Sequence, residues 1–456
     1  MRKSLFIAAG LAVAVVACSG PPGPEGPEGP QGPAGLAGPT GQEFRTQWAA
    51  TAPGTYESGE IGSAWMPASR KVTIYKTSST TRLKVSVSDN FRTSLNTGGG
   101  HGSYSIRMNG SSIGCDASQY QWNAAGWSNN YFLPFANLCV TDVIPSGVYE
   151  FEAWAISSSS TAYVGWLTGG QALLLVEEFD PGAQYALSQA GEPFGTTSGT
   201  YVKAPGRELT YDKQSSSSVL RVTLADTFRV GYNQNGGWGS LVIRMDGTDT
   251  SCATSKYDAQ GTGGDFHDPM VMTCILSEVS TGSHTFDVWI KSSTPPGNAY
   301  LGWTRSHPTL LVEELPADRV SYSNASAASG DISGSWAAVG ARQLTHDVGA
   351  AGRTMKVTYS DTFRAVGGCN GRAGFFQLYV DNQATGCING QYVHNGGATQ
   401  DHHHPINHIC VVSDLEPGNH TFAIWSTTID GNNTSCGANH FGWNRGQNLL
   451  MVEELP

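Results

Sequence analysis

One sequence pattern occurs three times in this chain, and it constrains the fold more than any other feature. The motif Asp-x-Phe-Arg places a phenylalanine at Phe91, Phe228 and Phe363, which are almost evenly spaced along the chain. Each copy closes on Val-Glu-Glu, at residues 176–178, 312–314 and 452–454. A unit of this length can bury a core of its own, unlike the short repeat of a solenoid. The sequence therefore predicts three tandem domains at residues 44–180, 181–317 and 318–456.

Within each copy, apolar residues alternate with other residues at the period of a β-strand. The segments VYEFEAWAI, HTFDVWIKS and HTFAIWSTT show this alternation, and clusters of Gly, Asn, Ser and Asp separate such segments. Charged residues make up only 14% of the chain, while aromatic residues reach 10%, which favours exported β structure over a helical enzyme. We therefore expect an all-β fold of three tandem jelly-roll-like β-sandwiches.

The N-terminus has the features of a lipoprotein signal peptide. Arg2 and Lys3 precede an apolar run that ends at residue 17 and is too short to span a bilayer as a mature helix. The run ends in Val-Val-Ala-Cys, which resembles a bacterial lipobox and implies lipidation of Cys18. An ordinary signal peptide with a chance cysteine is the alternative. Because Ser19 stands where an inner-membrane retention signal has aspartate, we expect a lipid anchor in the outer membrane or at the cell surface.

A collagen-like stalk follows at residues 18–43. Glycine occupies every third position from Gly20 to Gly41, and proline follows it in six of seven triplets. This period has a physical cause, because only glycine fits at the axis of three packed polyproline chains. The segment predicts either a trimeric triple helix or a single semi-rigid spacer.

This organisation resembles that of bacterial collagen-like surface lipoproteins with complement-globular-head and tumour-necrosis-factor-like β-sandwich repeats. The resemblance covers the stalk, the strand pattern and the closing Leu-Val-Glu-Glu segments, and it transfers no functional residue. Those families carry one head domain per chain, whereas this chain carries three. The three repeats therefore either close an intramolecular pseudo-trimer, or belong to a homotrimer held by the collagen-like segment.

Eight cysteines remain beyond Cys18, and most of them occupy equivalent places in the three copies. One pair per copy, in an exported chain, predicts one disulfide per domain. These pairs are Cys115–Cys139, Cys252–Cys274 and Cys387–Cys410, and they have nearly equal separations in the sequence. The third copy adds Cys369 and Cys436, for which a fourth disulfide is predicted and metal ligation by thiolates is the alternative.

The segments between the paired cysteines vary most among the copies, and we expect them to be loops that form recognition surfaces. In the first copy this segment carries several aromatic rings among Asn and Ser residues, as sugar-binding surfaces do. The candidate ligand-binding residues are Tyr120, Trp122, Trp127 and Tyr131. The alternative is that half of these rings fill the core.

In the third copy the same segment holds the histidine-rich stretch DHHHPINHIC at residues 401–410. Neutral imidazoles that face one point suit zinc or copper, which makes His402, His404 and His408 candidate ligands of a divalent metal. A solvated polar loop is the alternative and the favoured interpretation, since consecutive residues of an extended loop point in different directions.

The repeated carboxylates do not predict catalysis. Asp89, Asp226 and Asp361 recur identically in all copies, as the members of an ion pair or a turn cap do. The two glutamates of each Val-Glu-Glu face opposite sides of a strand, so they cannot share a substrate.

A formal net charge of −11 argues against binding to nucleic acid. The sequence therefore favours a non-enzymatic surface lipoprotein for adhesion or for binding a glycan or a surface protein. A structural envelope protein and a polysaccharide hydrolase are the alternatives.

Overall fold

The structure is a computed structural model, and the chain divides into two compact units, Met1–Glu43 and Phe44–Pro456. The described residues all belong to the second unit. They are residues 48–51, 61–93, 100–121, 131–157, 162–165, 172–180, 182–231, 237–258, 266–293, 297–303, 306–325, 328–329, 332, 334–365, 372–393, 402–430, 438–443 and 448–455. The predictions for Cys18, the collagen-like segment, Trp122, Trp127, Cys369 and Cys436 lie outside these residues.

The described residues are almost entirely strands, which confirms the predicted all-β fold. The strands of the first repeat are β1 (Trp48–Ala50), β2 (Met66–Lys76), β3 (Leu83–Thr93), β4 (Gly100–Met108), β5 (Ser111–Gln121), β6 (Tyr131–Val140), β7 (Gly147–Ser157), β8 (Ala162–Val164) and β9 (Leu173–Glu178). Those of the second are β10 (Tyr185–Ser188), β11 (Phe194–Thr196), β12 (Val202–Lys213), β13 (Ser218–Val230), β14 (Gly237–Met245), β15 (Thr248–Asp258), β16 (Phe266–Leu276), β17 (Gly282–Ser292), β18 (Ala299–Leu301) and β19 (Thr309–Pro316).

A short 3-10 helix, Ala317–Arg319, leads into the third repeat. The strands of this repeat are β20 (Val320–Ala325), β21 (Ala337–Val348), β22 (Thr354–Arg364), β23 (Arg372–Val380), β24 (Gln383–Val393), β25 (His402–Val412), β26 (Gly418–Asp430), β27 (His440–Phe441) and β28 (Asn448–Leu455). Within the part of the chain that the structure describes, no helix has the length and apolar character needed to cross a membrane.

Each repeat is a β-sandwich of two antiparallel sheets. In the first repeat the inner sheet has the order β1-β9-β3-β6 and the outer sheet has the order β2-β7-β4-β5. The alternation seen in the sequence places every second residue between the sheets, where Phe91, Tyr104 and Phe151 are fully buried. The repeated phenylalanines Phe228 and Phe363 occupy the same place in the second and third cores.

The sheets do not end at the repeats but continue from one repeat into the next. The inner sheet of the first repeat joins the outer sheet of the third through β6 and β24. The inner sheet of the second repeat joins the first through β16 and β5, and that of the third joins the second through β25 and β15. These three connections form a closed cycle, so the three repeats of one chain form an intramolecular pseudo-trimer.

Apolar clusters fill the three faces between the repeats. Leu138 and Phe179 of the first repeat pack with Leu311 of the second. Leu175 packs with Ile409 of the third repeat, in the cluster that also contains Trp48. The remaining face contains Ile275 and Met451, among others. These contacts explain why β3 and its equivalents are buried on both faces, although only one face contributes to a sandwich core.

Charged side chains close one end of the pseudo-threefold axis. Three bases and three acids, one of each from every repeat, alternate around it. This axial ring consists of Lys84, Arg221, Lys356, Glu177, Glu313 and Glu453. Every base contacts the acid of its own repeat and the acid of a neighbour, at distances from 2.6 to 3.6 Å.

The first and the last described residue both lie at this end of the axis. A cavity of about 820 Å³ opens beside the axial ring, and its lining includes Trp48 and Leu455. These are the first and last residues that the structure describes.

The predicted disulfides of the three equivalent pairs are confirmed. Cys115–Cys139, Cys252–Cys274 and Cys387–Cys410 each join the outer sheet to the inner sheet of one repeat. The cysteines lie inside strands, and these strands extend well beyond them. The prediction that the segments between paired cysteines are loops is therefore wrong for most of their length, since β5, β6 and their equivalents occupy it.

We expect one chain to be the unit in solution, because the three faces that a trimer of such heads would bury are already buried within the chain. Light scattering of the protein in detergent should give the mass of one chain, which is 48.2 kDa before removal of the predicted signal peptide. A mass of three chains that falls to one chain on collagenase treatment would instead show that the collagen-like segment assembles a homotrimer.

Candidate functional site: the aromatic junctions between repeats

Two positions that recur in every copy form strand pairings between different repeats. Tyr120 lies opposite His267, and Tyr257 lies opposite His403. Tyr392 lies opposite Phe132 in the third pairing. The first member is always the tyrosine five residues after the first cysteine of a pair. The second is always seven residues before the second cysteine. The variable segments therefore meet at three equivalent junctions.

The junction between the first and second repeats centres on Trp303. Its indole ring lies 4.3 Å from the ring of His267, 4.7 Å from that of His101 and 5.7 Å from that of Tyr120, measured between centroids. Trp303, His101 and Tyr120 are half-buried. The arrangement therefore combines packed rings with ring surface that solvent reaches.

Arginine borders the same junction. Arg229, the arginine of the Asp-x-Phe-Arg motif, lies with its guanidinium 4.7 Å from the ring of Tyr300. A guanidinium that packs on an aromatic face can still donate hydrogen bonds in its own plane, which suits an oxygen-rich ligand.

The junction between the second and third repeats has the same geometry but uses other residues. The ring of Trp443 stacks on that of His403 at 4.3 Å and lies 5.3 Å from Trp238 and 5.6 Å from Tyr257. Burial lowers the pKa of His403 to about 2, and the nearby charge of Arg364 acts in the same direction. His403 is therefore a neutral ring over the physiological range.

The junction between the third and first repeats has a more apolar composition. The ring of Phe132 lies 6.3 Å from that of Tyr392. The guanidinium of Arg92 lies 4.9 Å from the Phe132 ring and 4.0 Å from the ring of Tyr163. Trp166, the equivalent of Trp303, lies outside the described residues. The three junctions thus share a plan and differ in side chains, as the variability of these segments predicts.

The junctions lie at the end of the pseudo-trimer opposite the axial ring. Lys84 of the ring and Arg92 of a junction are eight residues apart on β3, which corresponds to about 26 Å at ~3.3 Å per residue. Half-buried indole and phenol rings beside guanidinium groups can stack on the apolar face of a sugar and donate hydrogen bonds to its hydroxyls.

Of the four predicted ligand-binding residues of the first copy, Tyr120 and Tyr131 lie within the described residues. Tyr120 belongs to the first junction, where it contacts residues of the second repeat. The backbone of Tyr131 pairs with Val393 of the third repeat, at another junction. The two tyrosines therefore serve different junctions.

The histidine-rich stretch is a buried strand, β25, so the favoured interpretation as a solvated polar loop is wrong. His402, His404 and His408 are each less than 5% exposed, because β25 is covered by both the second repeat and its own core. His402 and His404 contact Asp258 of the second repeat, at 3.2 and 3.8 Å. His408 instead points toward the third core, where its ring lies 5.5 Å from that of Phe376. Its Nδ1 is hydrogen-bonded to Ser88 Oγ of the first repeat at 2.7 Å.

The three histidines predicted as one metal site thus lie in two places. Among the described side chains, two groups of three are close enough to hold a metal ion. One is His408 with Cys387 and Cys410, but these cysteines form a disulfide. The other is Asp258 with His402 and His404.

The repeated aspartates form buried ion pairs. Asp89 contacts Arg70 at 2.8 Å, and the equivalent pairs are Asp226–Arg207 at 2.6 Å and Asp361–Arg342 at 3.2 Å. The partner lies on the preceding strand of the repeat, not next to the aspartate in the motif. Burial raises the pKa of Asp89, although Arg70 opposes this shift. Pairs that recur in all repeats and are closed to solvent support a structural role.

The paired glutamates point to opposite sides, as the alternation predicts. Glu177 belongs to the axial ring, whereas Glu178 accepts hydrogen bonds from the backbone of Thr77 and Ser78 in its own repeat. Glu314 does the same for Gln214 and Ser215.

Sequence comparison finds neither a known protein family nor a curated protein that matches this chain. Among solved structures, PNGF-II in a C2 crystal form matches with 8% identity, 78% of this chain and 98% of that chain covered, and a TM-score of 0.27. The same protein in a P21 crystal form matches with 8% identity, 80% and 84% covered, and a TM-score of 0.23. TM-scores this low support no statement about the fold or activity of this chain.

Sequence reasoning did not select the tryptophans and arginines of the junctions as site residues. The signal was present, because Gly302-Trp303 and Gly442-Trp443 recur at equivalent places and the arginine of Asp-x-Phe-Arg recurs in every copy. What the sequence lacked was the neighbouring repeat that completes each junction.

Proposed function

We propose that this protein is a non-enzymatic, lipid-anchored protein of the bacterial cell surface that binds glycans through the aromatic junctions between its repeats. The observation that carries the proposal is the half-buried tryptophan at the centre of a junction, flanked by tyrosine, histidine and arginine. Trp303 and Trp443 occupy this place in two of the three junctions.

The position of the junctions supports presentation to an external ligand. Trp48, the first residue that the structure describes, lies beside the axial ring, whereas the junctions lie at the opposite end of the strands. Three junctions with different side chains would also give one chain several specificities or several weak contacts to one polymer.

A glycan array probed with the full-length protein in detergent tests the proposal. We expect binding to a subset of glycans, and Trp303→Ala or Trp443→Ala should weaken it about 30-fold, since removal of a central aromatic anchor costs about 2 kcal/mol. Tyr75→Ala is the control, because Tyr75 is an exposed ring (42%) on the outer sheet, far from the junctions in the fold.

Equal binding by the tryptophan variants and the parent protein would remove the junctions as the site. No binding to any glycan, combined with ordered assembly that grows with concentration, would support a structural envelope protein instead. Release of sugars from a polysaccharide would support the hydrolase.

A further inference from the structure

A cluster of buried ionisable side chains joins the second repeat to the third, beside the aromatic junction but on the other face of β25. His402 and His404 come from β25, Asp258 and Lys256 from β15, and Asp268 from β16. Each of the five is less than 8% exposed. Besides the two imidazoles, two carboxylates face one ammonium group, and buried charges of this kind are paired or bind a metal ion.

The geometry of three of these groups fits the ligand set of a tetrahedral metal ion. His402 and His404 lie two residues apart on one strand, so their rings project from the same face and stack at 5.8 Å. Asp258 Oδ1 lies 3.2 Å from His402 Nδ1 and 3.8 Å from His404 Nε2. Two ligands on Zn²⁺ at about 2.0–2.1 Å lie about 3.3 Å apart in tetrahedral geometry.

The groups around this set provide the outer contacts that metal ligands need. His404 Nδ1, the nitrogen away from Asp258, lies 2.9 Å from Asp268 Oδ2. A carboxylate on the far nitrogen of a ligating imidazole fixes its tautomer and orientation. Lys256 Nζ contacts the second oxygen of Asp258 at 3.2 Å and Asp268 at 2.5 Å, which leaves Asp258 Oδ1 directed at the histidines.

We propose that Asp258, His402 and His404 bind a divalent transition-metal ion, with Zn²⁺ as the best fit, and that this ion links the second repeat to the third. Two imidazoles and one carboxylate are a ligand set that zinc sites in proteins use, with a water molecule in the fourth position. The ion would fix one of the three interfaces of the pseudo-trimer.

The site belongs to one interface only. The other two lack its ligands at the equivalent positions, counted from the paired cysteines. These positions hold Phe266, Asp268 and Gln121 at the interface of the second and first repeats, and Tyr131, Leu133 and Val393 at that of the first and third. One metal ion per chain is therefore expected.

Titration of the EDTA-treated full-length protein with ZnCl₂, followed by calorimetry and by thermal unfolding, tests the proposal. We expect one Zn²⁺ per chain and a higher unfolding temperature in its presence. Co²⁺ in place of Zn²⁺ should give the intense visible absorption of a four-coordinate site. Long incubation is needed because the ligand atoms are buried. His402→Gln and Asp258→Asn should each lower the affinity at least 100-fold and abolish the thermal shift.

His420→Gln is the matched control, since His420 also contacts an aspartate, Asp381 at 2.6 Å, but on an exposed hairpin of the third repeat. It should bind Zn²⁺ like the parent protein. Absence of stoichiometric binding by the parent protein would overturn the proposal without any variant and would leave an ion-paired cluster. Retention of Zn²⁺ by both His402→Gln and Asp258→Asn would assign the metal to other residues.

Discussion

Removal of all three equivalent disulfides is expected to lower the free energy of unfolding by about 9 kcal/mol, because each closed loop contributes about 3 kcal/mol by restricting the unfolded chain. The paired cysteines are separated by 24, 22 and 23 positions in the three repeats. All six cysteines are less than 5% exposed, so reductant reaches them only after local opening.

The position of the bonds makes their loss more than a sum of three local effects. Each disulfide joins the two strands of a repeat through which its sheets pass to the neighbouring repeats. Going around the pseudo-threefold axis, covalent links and strand pairings alternate. The closed cycle is β5–β6 by disulfide, β6–β24 by pairing, β24–β25 by disulfide, β25–β15 by pairing, β15–β16 by disulfide and β16–β5 by pairing. We therefore expect coupled rather than independent effects.

Denaturant unfolding of the three cysteine-pair alanine variants, singly and combined, measures this. Each single pair should cost about 3 kcal/mol, and the combined variant should also loosen the contacts between repeats. The control is Ser103→Ala with Ser118→Ala, which removes a buried hydrogen bond of 2.9 Å between β4 and β5 but no covalent link. Loss of both partners is close to neutral. Unfolding of the combined variant at the same denaturant concentration as the parent would contradict the expectation.

The fold was largely predictable because its signals are local. The alternation in segments such as VYEFEAWAI fixes a strand with one face in a core, and the threefold recurrence of Phe91, Phe228 and Phe363 fixes three cores. The paired cysteines were predictable from equal spacing. Strand exchange between repeats was not, because a pairing such as Tyr120 with His267 joins segments of different repeats and has no local pattern.

The residues of the proposed metal site were predictable only in part, for the same reason. His402 and His404 were recognised as ligand types, yet Asp258 lies in another repeat and carries no motif. Burial also reversed one interpretation. A run of histidines predicts a solvated loop when it is considered alone, but partners from the second repeat allow it to form a buried strand. The basic residue of the axial ring did have a signal, since Lys84, Arg221 and Lys356 recur at one position of a buried strand.

Glu313→Gln is expected to destabilise the protein by about 3–5 kcal/mol, because it breaks a buried ion pair and leaves cations in the axial ring under-compensated. Glu313 contacts Arg221 at 2.8 Å and Lys84 at 2.9 Å, and its side chain is only 7% exposed. Glutamine keeps the shape and removes the charge, so three bases would face two acids. Glu150→Gln is the control. Its pair with Lys71 has the same 2.8 Å distance but is 42–52% exposed, and such a pair contributes less than about 1 kcal/mol.

The axial ring also predicts loss of stability in acid. Burial raises the pKa of Glu313, but the charges of Arg221 and Lys84 outweigh burial and bring it from 4.5 to about 2. The pKa of Glu453 is lowered in the same way. A carboxylate whose pKa is lower in the folded than in the unfolded state stabilises the fold above the unfolded pKa. That stabilisation disappears as the pH falls from about 4.5 to about 2, and it amounts to about 3 kcal/mol for Glu313.

Denaturant unfolding between pH 7 and pH 2 therefore tests whether the ring stabilises the fold or serves to fix the pairing of repeats. The parent protein should lose stability through this window, and Glu313→Gln should lose less, because its missing carboxylate has already removed that contribution. A ring in which all three bases and all three acids are replaced by methionine or leucine should be about as stable as the parent at pH 7, since hydrophobic replacement of a complete buried set is often neutral. If that variant keeps its stability but also forms oligomers in which repeats of different chains pair, the ring serves to fix the pairing of repeats within one chain. Equal acid sensitivity of the parent and Glu313→Gln would show that other carboxylates govern the response.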